Sequence, residues 1–315
     1  MLRKIGAIGL TAVLALGLSA CSSNSNDTND AQNAINVENL PAWDGRELKT
    51  KTEDGVVKID FPQLAPPKDL LVQVIEEGTG DEITSTDFVI ANYTGQVWGE
   101  DTPFDSSYTR KQPTGFSLEG VILGWTQGLT GQKVGTKLIL SVPADLGYGP
   151  TGGQPNAGIG EDDVIAFYIE IVDAYGKSEA GSADATPEAD LAALPVEIGG
   201  ELGQPVTLLV KPDQPEPTES QTIVIARGKG EPVADGDSTV FIQYMMSYWD
   251  NSGSETTYGR TGPAAIKISQ MPFFEGLKGL PIGSRVLITS PASKSGDEVT
   301  SPAYAVVLDI LGQVK

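Results

Sequence analysis

Apolar and polar residues alternate with a period of two along several short stretches of this chain. In residues 165–171, Ile165, Phe167, Ile169 and Ile171 take every second position and share one face of a predicted strand. Residues 71–75, 88–93 and 138–142 also read as strands, with a Gly78, Thr79, Gly80 turn after the first. One stretch has a longer period. Ile122, Trp125 and Leu129 stand at i, i+3 and i+7, one stripe of a short helix that Gly131 is placed to end. A strand at 56–61, between Trp43 and the prolines 62, 66 and 67, belongs to a lead-in that packs on this first domain.

The later half repeats this order in weakened form. Gly228, Lys229 and Gly230 echo the Gly78 turn, and residues 239–244 echo the strand that ends at Tyr93. Residues 255–260 echo 105–110, 283–288 echo 135–140, and 306–310 echo 167–171. Such a pattern predicts a tandem duplication rather than a solenoid. Residues 176–195, rich in Gly, Ala, Ser, Asp and Glu, read as a linker between the copies.

A length of 315 residues suits two domains, and 37 Gly with 21 Pro suit turn-rich β structure. The first twenty residues read as a targeting segment. Arg3 and Lys4 precede an apolar run over 5–18, too short for a spanning helix of about 20 residues. The ending Leu18, Ser19, Ala20, Cys21 resembles the lipobox of bacterial lipoproteins. That resemblance implies cleavage before Cys21, a lipid anchor on its sulfur, and a place on the extracellular face of the bacterial cell membrane. The competing reading is an ordinary secretory signal with a chance cysteine. Residues 21–50 then form a flexible tether and lead-in. Cys21 is the only cysteine, so no intramolecular disulfide can form.

The charge narrows the partners. With 21 Lys and Arg against 42 Asp and Glu, the net charge is −21. Phosphate backbones and anionic head groups repel such a chain, so no nucleic acid is expected, and membrane attachment rests on the lipid. The chain holds no histidine, which excludes Ser-His and Cys-His catalytic pairs and His-rich metal sites. No cofactor or metal is expected. Residues 147–152 fit G-x-G-x-x-G, but Pro150 and the lack of a following helix make them a turn-rich loop. Asn92, Tyr93 and Thr94 fit a glycosylation sequon on a predicted strand, and Glu161, Asp162 and Asp163 read as a solvated loop.

Between Tyr93 and Phe167, aromatics and one acid recur among glycine turns. Tyr93, Thr94 and Gly95 come first, then Phe104, Asp105, Ser106 and Ser107. Residues 121–125 follow, then Tyr148 and Gly149, and finally Phe167. Order and spacing are similar to the FKBP-type peptidyl-prolyl cis/trans isomerases over residues 70–174. The resemblance implies an α+β fold of two FKBP-like domains, at 51–175 and 196–315. Each would be a curved antiparallel β-sheet wrapped around one short α-helix.

Isomerising an X-Pro bond makes and breaks no covalent bond. Its barrier of about 18–20 kcal/mol comes from amide resonance, lost as the C–N bond twists. A catalyst needs a pocket that fits the twisted amide better than either planar isomer. The resemblance assigns Trp125 to the pocket floor and Tyr93, Phe104 and Phe167 to its walls. Val121 and Ile122 form the strand-to-helix corner, where the Ile122 N–H would bind a substrate carbonyl. Asp105 is the pocket carboxylate, Arg110 its partner, and Tyr148 the loop hydroxyl that anchors the peptide. Ile159 lies in the same loop. Thr114 and Gly115 stand where the family has an aromatic, with Phe116 following, so that side of the rim is expected to be more open. Taken singly, Tyr93, Trp125 and Phe167 read as core residues and Asp105 as a turn residue.

In the second domain Phe273 corresponds to Trp125, Tyr244 to Tyr93, Ser254 and Glu255 to Phe104 and Asp105, and Val306 to Phe167, while the Tyr148 loop is deleted. This copy is therefore read as degenerate and inactive. The expected substrates are proline-containing polypeptides, secreted or of the cell envelope, and the resemblance extends the ligands to macrolide immunosuppressants of the tacrolimus type. The competing function is a chaperone or adaptor that holds proline segments without turnover.

Overall fold

The computed structural model describes residues 42, 44–234, 238–295 and 298–314. Cys21, the targeting segment and most of the tether lie outside the described residues. The chain divides into two compact units between Ala174 and Tyr175.

The first unit opens with a hairpin of β1 (Lys49–Glu53) and β2 (Val56–Asp60). Asp54 and Gly55 turn it with φ of 50° and 81°, the left-handed pair that a two-residue hairpin demands. Then come β3 (Leu71–Glu76), β4 (Phe88–Val97), β5 (Asp105–Ser106), α1 (Ser107–Arg110), β6 (Thr114–Ser117), α2 (Leu123–Leu129), β7 (Lys137–Val142) and β8 (Ile165–Tyr175). The sheet runs β3-β7-β8-β4-β5, and β6 also pairs with β4. All pairings with a resolved register are antiparallel.

Both faces of this sheet are covered. One packs on α2 around Leu129, Leu138, Leu140, Ile165 and Ile169. The other packs on the hairpin through Leu48, Ile59, Trp98, Ile139 and Tyr168. Double coverage explains why β7 and residues 165–171 of β8 are buried at almost every position instead of alternating. The hairpin is tied down by side-chain amides. Gln73 Nε2 donates to the Leu48 carbonyl at 2.8 Å, and the Ile59 N–H donates to Gln96 Oε1 at 2.7 Å. The lead-in expected at 21–50 thus reaches the fold before residue 51. Residue 48 is already core, and β1 begins at Lys49.

Helix α2 holds two glycines among seven residues, so packing rather than propensity sustains it. A Cβ on Gly124 would stand 2.4 Å from Val142 Cγ1, so only glycine lets the first turn of the helix lie on the end of β7.

The second unit contains β9 (Thr186–Pro187), β10 (Val196–Gly199), β11 (Thr207–Val210), β12 (Gln221–Arg227), β13 (Thr239–Tyr248), β14 (Ser254–Thr256), β15 (Ala264–Lys267), β16 (Arg285–Ser290), β17 (Ser293–Ser295), β18 (Glu298–Ser301) and β19 (Tyr304–Val314). Its sheet runs β9-β12-β16-β19-β13-β14, with β15 on β13. Without β9, that is the strand order of the first unit. Details coincide too. The first strand shifts register between Val74 and Glu76 in one unit and between Val224 and Ala226 in the other. The Gly78 N–H donates to Thr136 Oγ1 and the Gly228 N–H to Ser284 Oγ.

Two expectations change here. Residues 176–195 are not a free linker. The Ser182 N–H donates to the Gly283 carbonyl at 2.9 Å, the Gly259 N–H to the Lys177 carbonyl at 2.9 Å, and β9 pairs with β12. Their small side chains serve close approach: a Cβ on Gly181 would sit 2.9 Å from Asp309 Oδ1. Nor does this sheet wrap an α-helix among the described residues. The corresponding segment, Pro272–Leu277, is 3₁₀, starting at a proline and carrying adjacent Phe273 and Phe274. Of these two, Phe274 is the one fully buried in the core.

Candidate functional site

In the first unit, β4, β5, β6, the start of α2, β8 and the loop over 143–164 enclose a cavity of about 810 Å³. Six aromatic side chains line it, and five of them form a continuous edge-to-face cluster. Phe104 meets Phe167 at 5.7 Å between ring centroids, Phe167 meets Trp125 at 5.3 Å, and Trp125 meets Tyr93 at 5.5 Å. Phe116 stands 5.0 Å from Trp125 and 5.4 Å from Tyr93. Such offset contacts add roughly 0.5–1.5 kcal/mol per pair beyond burial. Tyr93, Trp125 and Phe167 are also buried members of the core, so one set of rings serves as both core and cavity wall.

The strand β4 sets this arrangement. Tyr93 and Gly95 share its cavity face. A Cβ on Gly95 would come within 2.5 Å of the Phe104 ring and 2.9 Å of the Phe167 ring, so the cavity exists because that position has no side chain. The Tyr93 N–H donates to Ser107 Oγ at 2.8 Å, which ties the strand to α1.

One edge of the cavity is polar. The Tyr93 hydroxyl and Arg110 Nη1 both donate to the Asp105 carboxylate, and the Ser106 N–H adds a third bond at 2.8 Å. Arg110 Nη2 also donates to the Tyr93 hydroxyl at 2.9 Å and to Thr114 Oγ1 at 3.3 Å. Its Cζ lies 5.6 Å from the centre of the Tyr93 ring. Asp105 is therefore occupied by partners and serves as an anchor, not as a free base. Burial and then the Asp105 charge push the Tyr93 phenol well above its usual value. Burial works against the Arg110 charge, but Asp105 and Tyr93 outweigh it and hold the guanidinium above its usual value.

Tyr148 lines the cavity from the loop. The Thr151 and Gly153 N–H groups donate to its carbonyl at 3.1 and 2.9 Å, which fixes its backbone. Its hydroxyl has no partner among the described residues, and burial, followed by the Asp105 charge, raises its pKa. At the corner, the Ile122 carbonyl accepts from the Trp125 N–H at 3.0 Å, while the Ile122 N–H makes no hydrogen bond among the described residues. Among the described residues the cavity thus offers an apolar floor, the free Tyr148 phenol and the free Ile122 amide. No group of three His, Cys, Asp or Glu side chains could hold a metal ion among the described residues.

Of the residues expected here, Tyr93, Phe104, Asp105, Phe116, Val121, Ile122, Trp125, Tyr148 and Phe167 line this one cavity. Arg110 stands behind Asp105. Ile159 does not line it; it is a buried core residue bridged to Gln154. The rim expected to be open beside Thr114 is filled, because the pairing of β6 with β4 turns Phe116 onto Trp125. Sequence reasoning gave no role to Gly95, Leu123 or Asp145. A glycine inside a strand signals close approach, and that sign was present for Gly95.

A family model for the FKBP-type peptidyl-prolyl cis-trans isomerases matches residues 80–172. The chain is 35% identical over 118 residues to a probable FK506-binding protein of Corynebacterium glutamicum, covering 37% of this chain and 97% of that protein. It is 41% identical over 124 residues to the isomerase FkpA of Escherichia coli, covering 39% of this chain and 43% of FkpA. The crystal structure of FkpA aligns at 36% identity, with 39% of this chain, 53% of that chain and a TM-score of 0.32. The chain belongs to the FKBP-type peptidyl-prolyl cis-trans isomerase family.

Proposed function

We propose that the first unit is a peptidyl-prolyl cis/trans isomerase that assists the folding of secreted or cell-envelope proteins. The observation that carries this reading is the five-ring cavity with a free Tyr148 hydroxyl and a free Ile122 N–H at its rim. A proline ring rests on Trp125, and the substrate carbonyl leaves water for the aromatic wall. Twisting the C–N bond removes resonance and lowers the charge separation of the amide, so an apolar cavity favours the twisted form over the planar one. The same cavity would accept macrolides of the tacrolimus type.

The second unit is, in this reading, a non-catalytic copy of the same fold, supported by the shared strand order and by a buried Met246 at the position of Gly95. The protein is anchored by lipid at Cys21 on the outer face of the cell membrane. Palmitate labelling that persists in Cys21→Ser would overturn that placement.

The test of activity is the refolding of a protein limited by an X-Pro bond, which takes tens to hundreds of seconds uncatalysed. The whole chain should accelerate it, and Trp125→Ala should lose about 10- to 100-fold of that acceleration, equivalent to about one to three kcal/mol. A folded wild-type chain without acceleration would leave a proline-binding module.

A further inference from the structure

The cavity has a second end that the proline ring does not need. Its lining contains two carboxylates, Asp105 and Asp145, and no lysine or arginine. Asp105 is neutralised by Arg110 and held by Tyr93. Asp145 is exposed, and its carboxylate makes no hydrogen bond or ion pair among the described residues. Leu123, another lining residue, is 55% exposed, so its side chain is available to a bound peptide. The contact of Gly124 with Val142 presses the first turn of α2 against the end of β7. Leu123 precedes that contact by one residue, Asp145 follows it by three, and both line the same cavity.

We propose that Leu123 and Asp145 form a specificity subsite for a lysine or arginine near the substrate proline. This deepens the isomerase reading and rests on it. The aliphatic stem of such a side chain lies on Leu123 and its cation reaches Asp145, a match that neither a purely apolar nor an acidic residue makes. The acidic balance of the whole chain favours the same substrates before contact.

The experiment uses the full chain and short peptides that differ only at one position, placed one or two residues before or after proline. Lysine, norleucine and glutamate are compared there, by turnover and by calorimetric binding. At one position lysine should exceed norleucine by about three-fold, as an exposed ion pair allows, and the margin should shrink with salt. Asp145→Asn should bring the lysine-to-norleucine ratio to about one, and Asp145→Lys should turn the preference toward glutamate. Leu123→Ser should weaken lysine and norleucine peptides alike. Equal handling of lysine and norleucine by the wild-type chain, or a preference that survives in Asp145→Asn, overturns the subsite. Binding that prefers lysine without any turnover supports the subsite and overturns the isomerase reading instead.

Discussion

The two units share a strand order and a tyrosine–carboxylate pair, and in the first that pair lines a cavity. Tyr93 donates to Asp105 in one, and Tyr244 donates to Glu255 at 2.5 Å in the other. The difference lies two residues further along the strand. Gly95 pairs with Asp105, and Met246 pairs with Glu255 at the matching register. Around Gly95 stand Phe104 and Phe167; around Met246 the same positions hold Ser254 and Val306. In the first unit two large rings wall a gap left by a missing side chain. In the second a buried methionine fills the gap and the walls shrink.

The largest effect should come from moving that volume. Gly95→Met places a side chain where even a Cβ meets the Phe104 and Phe167 rings. Proline isomerisation should fall by about 100-fold or more, while overpacking costs roughly 1–3 kcal/mol of stability. Catalysed refolding and calorimetry read the two terms separately. Activity retained near the wild-type level would show that the cavity wall at Gly95 is not part of the site.

The outer faces of the sheets differ as well. In the second unit Arg285 bonds Asp309 twice at 2.8 Å, Tyr258 adds a bond to Asp309 at 2.7 Å, and all three side chains are buried. Arg285 also donates to the Glu201 and Gln204 carbonyls, which fixes the loop that closes over it. The matching pair of the first unit, Lys137 and Glu170, lies at a more open face, and Lys137 bonds exposed Glu76 instead. Asp309→Ala leaves a buried guanidinium without its counter-charge and should cost about 3–5 kcal/mol. Lys137→Ala should not change stability measurably. Comparable losses in both would mean that the burial of Arg285 contributes nothing specific.

Much of this was legible in the sequence because it depends on local spacing. The alternation over 165–171 located β8, and the stripe of Ile122, Trp125 and Leu129 located α2. The resemblance that the order of aromatics carries assigned nine residues that line one cavity. What escaped depends on partners distant in the chain. Residues 176–195 have the composition of a linker, yet the same small side chains suit close packing on Gly283 and Asp309. Composition cannot separate flexibility from close approach. The hairpin of β1 and β2 carried a readable Asp54, Gly55 turn, but only the pairing with Gln73 and Gln96 ties it to the sheet. The unpaired state of Asp145 is a property of its neighbours in space, which no local pattern reports.

A smaller effect concerns Tyr148, whose counterpart loop in the second unit is replaced by the short hairpin of β17 and β18. If its free hydroxyl anchors substrate, Tyr148→Phe should lower kcat/KM by about three- to ten-fold, the value of one hydrogen bond near 1 kcal/mol. Stability should be unchanged, because that hydroxyl bonds nothing among the described residues. A silent Tyr148→Phe would make the loop a wall only and would bring the two units closer in function than their loops suggest.

The smallest effect expected near neutrality is that of pH. The chain has no histidine, and Tyr93 and Tyr148 are both pushed above the ordinary phenol value, Tyr93 by burial and Asp105, Tyr148 by burial and the Asp105 charge. Both phenols therefore stay protonated, and kcat/KM should vary by less than about two-fold between about pH 6.5 and 9, where ordinary tyrosines are neutral. Stability behaves differently at the alkaline end. A tyrosine with a raised folded pKa favours the folded state fully below its unfolded value, and that contribution is lost as pH rises from there toward the folded value. Tyr93 in the first unit and Tyr244 and Tyr258 in the second share this direction. Both units should therefore lose stability above about pH 10. Phenolate absorbance should show these tyrosines ionising only as each unit unfolds. Early titration of Tyr93 in the folded chain, absent in Tyr93→Phe, would mean that its bond to Asp105 does not hold the cavity edge closed.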